Sequence, residues 1–132
     1  MSKTVQDEAL QLSGYDEVTA QSTTSAVLED IPGLTFDIEM TKGGQICARM
    51  TVECSSTGAA NNTGAWAISI NGVDGTEIQR FLSGTSDTGA MAVQAAADLP
   101  AGTYTIKGRH RRAGGAGTIN TDVAQLSAIM IG

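Results

Sequence analysis

The chain has 132 residues, with fourteen acidic and eight basic side chains and a formal net charge of -6. That length holds one domain, which buries about two-thirds of the surface of its unfolded chain. The negative charge opposes general attraction to polyphosphate or anionic lipid, so nucleic acid and membrane are not expected partners. No stretch approaches the roughly twenty apolar residues of a membrane-spanning helix, and the first ten residues have no apolar run resembling a signal peptide.

The first 22 residues read as an N-terminal arm or a short helix. Thr4 with Asp7 three positions later resembles a helix cap, and Val5, Ala9 and Leu12 fall on one helical stripe. So short a stripe does not stay helical alone. From residue 23 onward the dominant period is two. Leu34, Phe36, Ile38 and Met40 alternate with Thr35, Asp37 and Glu39; after a turn at Thr41 to Gly44, Ile46, Ala48, Met50, Val52 and Cys54 alternate with Arg49, Thr51 and Glu53. The two segments read as a hairpin. Cys47 and Cys54 are seven positions apart on one strand, about 23 Å, and point to opposite faces, so they cannot bridge each other; buried free thiols are the simplest expectation, with a link between chains as the alternative.

Ser55 to Gly64 is loop by composition. Trp66, Ile68 and Ile70 then share one face of a strand, and Asn71 to Gly75 forms a turn. Two further strands cover Thr76 to Leu82 and Met91 to Leu99. A Pro100-Ala101-Gly102 turn leads to "TYTIKGRHRR", with Tyr104, Ile106, Gly108 and His110 on one face and Thr105, Lys107, Arg109 and Arg111 on the other. A glycine-rich turn and the final "TINTDVAQLSAIMI" complete the chain. Strand signals recurring every eight to fourteen residues predict an all-β fold, a two-sheet antiparallel jelly-roll sandwich of eight or nine strands over residues 23–132.

Catalytic chemistry finds little to work with. The one histidine, His110, lies between two arginines with no nucleophile elbow nearby, and reads as a packed or interface residue. Gly114 to Gly117 precedes a strand rather than a helix and therefore lacks the helix N-terminus that holds a phosphate. Asn71 to Gly75 lacks the alternating carboxylates of a calcium loop. No enzyme, metal or cofactor is expected.

The cationic row carries the strongest functional signal. Four of the eight basic residues (Lys107, Arg109, Arg111 and Arg112) fall within six positions. Cations two residues apart on one strand face lie about 7 Å apart and repel by about 0.6 kcal/mol even in water, so the row is either well hydrated or matched by carboxylates. Residues 1–53 carry nine acids and three bases, a net -6, whereas residues 54–132 carry five of each. Complementation within or between chains follows, with Asp37, Glu39, Glu53 and Asp122 as candidate partners. The consecutive Ile129, Met130 and Ile131 predict a last strand covered on both faces, the second by another chain.

"LPAGTYTIKGRHRRAGGAGTINTDVAQLSAIMI", with the preceding "AWAISINGVDG", resembles the trimeric jelly-roll domains of tailed-phage virions, related in fold to tumour-necrosis-factor and complement-type globular heads. The shared features are an "AGTYTxKxRxR" strand, a glycine-rich loop and a terminal "LSxI" strand, over about residues 24–131. Gly108 and His110 stand where such domains often carry bulky apolar residues. The resemblance implies a homotrimer that decorates the capsid exterior and binds the major capsid protein. It places Lys107, Arg109 and Arg111 on the sheet facing the threefold axis, beside the strand of Leu126, Ile129 and Ile131. Val5, Ala9 and Leu12 of the arm become the expected capsid contact. The alternative it implies is a receptor- or glycan-binding fibre tip using loops such as Ser55 to Gly64; the lack of a shaft-like repeat before the domain favours decoration.

Overall fold

The computed structural model describes residues 12–84 and 87–131. Nine strands form two antiparallel sheets: β1 (Leu12–Thr23), β2 (Glu29–Met40), β3 (Gly44–Thr57), β4 (Asn62–Ile70), β5 (Val73–Asp74), β6 (Ile78–Leu82), β7 (Thr88–Leu99), β8 (Gly102–Gly114) and β9 (Thr118–Ile131). One sheet has the order β1-β9-β3-β7; the other runs β2-β8-β4-β5, with β6 also paired to β4. Long strands that follow one another change sheet each time, which is the winding of a jelly roll.

This winding corrects the expected hairpin. β2 and β3 lie in opposite sheets, β2 pairing with β8 and β3 with β7 and β9, so the Thr41–Gly43 turn crosses between layers. Alternation still assigned the faces correctly. Ile46, Met50, Val52 and Cys54 of β3 are buried against Leu34, Ile38, Trp66, Ile68 and Ile106 of the other sheet. Gly108 is needed beneath that layer: a Cβ there would collide with Leu34 and stand 2.8 Å from Met50 Sδ. Those two side chains fill the volume a larger residue at 108 would occupy.

The expected loop over Ser55 to Gly64 is shorter than the composition suggests, since β3 continues to Thr57 and β4 begins at Asn62. The arm also needs revision. Leu12–Thr23 is a strand, hydrogen-bonded along β9 from Leu12↔Ile129 to Thr23↔Ile119. Its inward positions are Gly14, Asp16 and Val18, an unobtrusive set because each meets β2 in a special way: Phe36 lies over Gly14, Asp16 Oδ2 accepts from Thr35 N (3.3 Å), and Val18 packs on Gly33. Leu12 opens that strand, while Val5 and Ala9 lie outside the described residues.

Candidate functional site

The basic row stands on the outer face of the five-stranded sheet, with its neighbours set by register. Arg111, Arg109 and Lys107 of β8 pair directly with Ala65, Ala67 and Ser69 of β4. These small side chains let the guanidinium groups reach across β4 to carboxylates beyond it. Arg109 donates from Nε to Asp30 Oδ1 (3.1 Å), from Nη1 to both Asp74 oxygens (3.0 and 2.9 Å), and from Nη2 to the Leu28 carbonyl (2.9 Å). Arg111 grips Glu77 with two bonds of 2.7 Å and donates to the Ala26 carbonyl at 3.0 Å. Lys107 Nζ shares Asp30 at 3.0 Å.

Three cations thus meet three carboxylates of the same chain, and two of the cations also pin the β1–β2 connection. Arg112 completes the clamp, its backbone N–H donating to the Ser25 carbonyl (2.7 Å) and its guanidinium to the Gly117 carbonyl (2.7 Å). The electrostatics follow: hydrogen bonding from Arg111 holds the Glu77 carboxyl below its ordinary range, and Asp74 and Glu77 raise the already high pKa values of Arg109 and Arg111.

Two expectations change as a result. The carboxylates that match the row are Asp30, Asp74 and Glu77, not Asp37, Glu39, Glu53 or Asp122. The row also does not lie beside the last strand, because β8 and β9 belong to opposite sheets. Lys107, Arg109 and Arg111 therefore share no outer face with Ile129 and Ile131, and Leu126 is wholly buried in the core. One signal for the true partners was present in the sequence: Ala65, Ala67 and Ser69 form an outward row too small to block a long cation from the next strand.

Beneath the row lies His110, completely buried. Thr121 Oγ1 accepts from Trp66 Nε1 at 2.9 Å and stands 3.2 Å from His110 Nδ1, so one hydroxyl joins both buried rings. Nε2 is 3.9 Å from Glu29 Oε1. Burial pulls the His110 pKa below 6.5, outweighing the opposing pull of Glu29. His110 is packed in the interior between Trp66, Thr121 and Glu29.

The outer face of the four-stranded sheet has a different character. The registers set its side chains in rows: Tyr15, Ser127, Arg49 and Gln94 cross it at one height, Ile129, Cys47 and Ala96 at the next, and Ile131, Gln45 and Asp98 beyond. On the other side come Glu17, Gln125, Thr51 and Ala92. Ala90, Ala92 and Ala96 are exposed alanines on an edge strand. Cys47, Arg49, Gln94, Ala96, Ser127 and Ile129 line a shallow depression of about 500 Å³. Among the described residues Arg49 forms no ion pair. Cys47 is half-buried at this surface rather than enclosed; Cys54 is in the core, its thiol pushed up to about 11 by burial. Ile131 remains 39% exposed, so among the described residues the last strand is covered on its inner side only.

No family model matches the sequence, and no curated protein matches it. Among solved structures the chain is similar to T=1 particles derived from infectious bursal virus, at 15% identity and a TM-score of 0.52, covering 89% of this chain and 31% of that one. It is likewise similar to the structure of the infectious bursal disease virus Gt strain, at 11% identity and a TM-score of 0.50, covering 92% and 34%. A third is the CBM36-1 domain of a multidomain xylanase from the hindgut metagenome of Trinervitermes trinervoides, at 13% identity and a TM-score of 0.44, covering 86% and 96%. The chain spans about a third of the length of each viral chain. At these identities the two viral likenesses establish the β-sandwich fold alone.

Proposed function

We propose that the protein is a non-enzymatic virion structural protein: a homotrimer that decorates a capsid exterior and binds the major capsid protein. The observation that carries this reading is the open outer face of the β1-β9-β3-β7 sheet. That face is rich in alanine and other small side chains, indented at Cys47 and Ala96, and holds an Arg49 with no ion-pair partner among the described residues. A sandwich that matches the basic row of one outer face within its own chain and leaves the other incompletely paired is suited to association through the second. The virus particles among its structural neighbours, and the resemblance to phage trimeric jelly rolls, favour a capsid as the setting. A trimer engaging several capsid subunits at once turns weak contacts into firm attachment. The test is mass in solution followed by co-sedimentation with capsids lacking this protein: the reading expects a three-chain mass and capsid binding, and a monomer that ignores capsids overturns it.

A second reading, a glycan-binding fibre tip, draws on a polar depression of about 600 Å³ on the five-stranded sheet, lined by Asp30, Ser69, Asn71, Thr103, Thr105 and Lys107 among others. Its hydroxyl and charged groups suit sugar hydroxyls. Binding on a glycan array that is lost in Lys107→Ala supports it; an array with no signal removes it.

A further inference from the structure

We infer, resting on assembly through the four-stranded sheet, that the subunit contact is head-to-tail, with Tyr15 and Glu17 of one copy seated on the depression beside Arg49 of the next. Two patches of this face are unlike. The β1 edge bears Tyr15 as an aromatic knob, 52% exposed, and Ile131 is exposed on the neighbouring strand. The depression spans β9, β3 and β7, with Cys47 and Ala96 in its lining beside Arg49, Gln94, Ser127 and Ile129. Knob and recess occupy the same height, because Tyr15 pairs with Ser127, Ser127 with Arg49, and Arg49 with Gln94. A copy rotated about an axis running along the strands keeps that height and brings its Tyr15 edge to its neighbour's recess. Such a contact uses two different patches, and it closes into a three-membered ring when the rotation is one third of a turn.

Charge selects the same pairing. Tyr15 Oη donates to Glu17 Oε1 at 3.1 Å, so the knob carries a carboxylate at its shoulder. At the depression Arg49 is the cation of this face, and it lacks an ion-pair partner among the described residues. Docking brings the planar guanidinium to the carboxylate and against the phenol ring, both of which Arg favours. Tyrosine and arginine at the centre of a small-residue surface are also the residue types that dominate interface energetics.

The experiment is a concentration series of the full chain by sedimentation or light scattering, with far-UV circular dichroism and a thermal melt to confirm each variant is folded. Tyr15→Ala, Glu17→Arg and Arg49→Glu are each expected to weaken association at least tenfold. The double variant Glu17→Arg/Arg49→Glu reverses both charges in one chain and is expected to recover most of the wild-type association. Folded Tyr15→Ala and Arg49→Glu proteins that associate like wild type overturn this inference and leave the trimer reading standing. A double variant no better than its parents overturns the ion pair. A monomeric wild type overturns both readings together.

Discussion

The two outer faces of this sandwich are built from the same backbone arrangement, and they use charge in opposite ways. On the five-stranded sheet Lys107, Arg109 and Arg111 are spent on Asp30, Asp74, Glu77 and the carbonyls of the β1–β2 connection. On the four-stranded sheet the strands bear alanine, serine, threonine and glutamine, and Arg49 forms no ion pair among the described residues. A dense charged row is therefore a poor marker of an interface when small residues on the next strand let it reach partners of its own. The quieter face, with little to hold it to itself, is the one suited to a neighbour.

Mutations on the two faces should separate stability from assembly. The largest loss of stability is expected from Arg109→Ala, which releases two carboxylates and a loop carbonyl at once; about 2–3 kcal/mol should vanish in urea titration while the oligomeric mass is retained. Glu77→Gln keeps one acceptor for Arg111 and should cost less, about 1–2 kcal/mol, again with mass unchanged. A change in mass without a change in stability in either variant would reverse the roles of the two faces.

The next effect is a pH dependence beneath the closed face. His110 has a folded pKa below its unfolded value of 6.5, so the unfolded state binds protons first. The stability that this neutral imidazole provides is complete above pH 6.5 and is lost as pH falls toward the lower folded value. The groups facing it are Thr121 on β9, Trp66 on β4 and Glu29 on β2, which is itself held by Thr23 on β1. Chemical denaturation from pH 7.5 down to 5 should show this decline, and His110→Gln should flatten it. The loss linked to Glu77, whose pKa is lowered from 4.5, should remain at more acid pH. A wild-type profile with no slope between pH 6.5 and 5 would contradict the lowered pKa of the buried imidazole. The smallest effect on folding is expected from Ala92→Lys on the open face, within about 0.5 kcal/mol for the unassembled chain, while its association should fall sharply.

Much of the fold was legible because a period of two reports which side chains share a face. Trp66, Ile68 and Ile70, the inward set of β3, and the division of "TYTIKGRHRR" into a core face and a charged face all stand as the sequence implied. Period does not report which strand lies alongside. Turns at Thr41–Gly43 and Pro100–Ala101 look like hairpin turns locally, yet both cross between the sheets. In a jelly roll the pairings are long-range, so neither the carboxylates facing Arg109 nor the sheet holding Ile129 can be read from spacing. β1 escaped notice for a different reason: its inward residues are a glycine, an aspartate and a valine, each suited to one feature of β2 rather than to a general apolar layer.

The division of labour between the faces is tested most directly by the solution mass of Ala92→Lys and Lys107→Glu, compared with wild type at one concentration. The account predicts a single-chain mass for Ala92→Lys and an unchanged three-chain mass for Lys107→Glu. A dissociated Lys107→Glu beside an intact Ala92→Lys oligomer would contradict it.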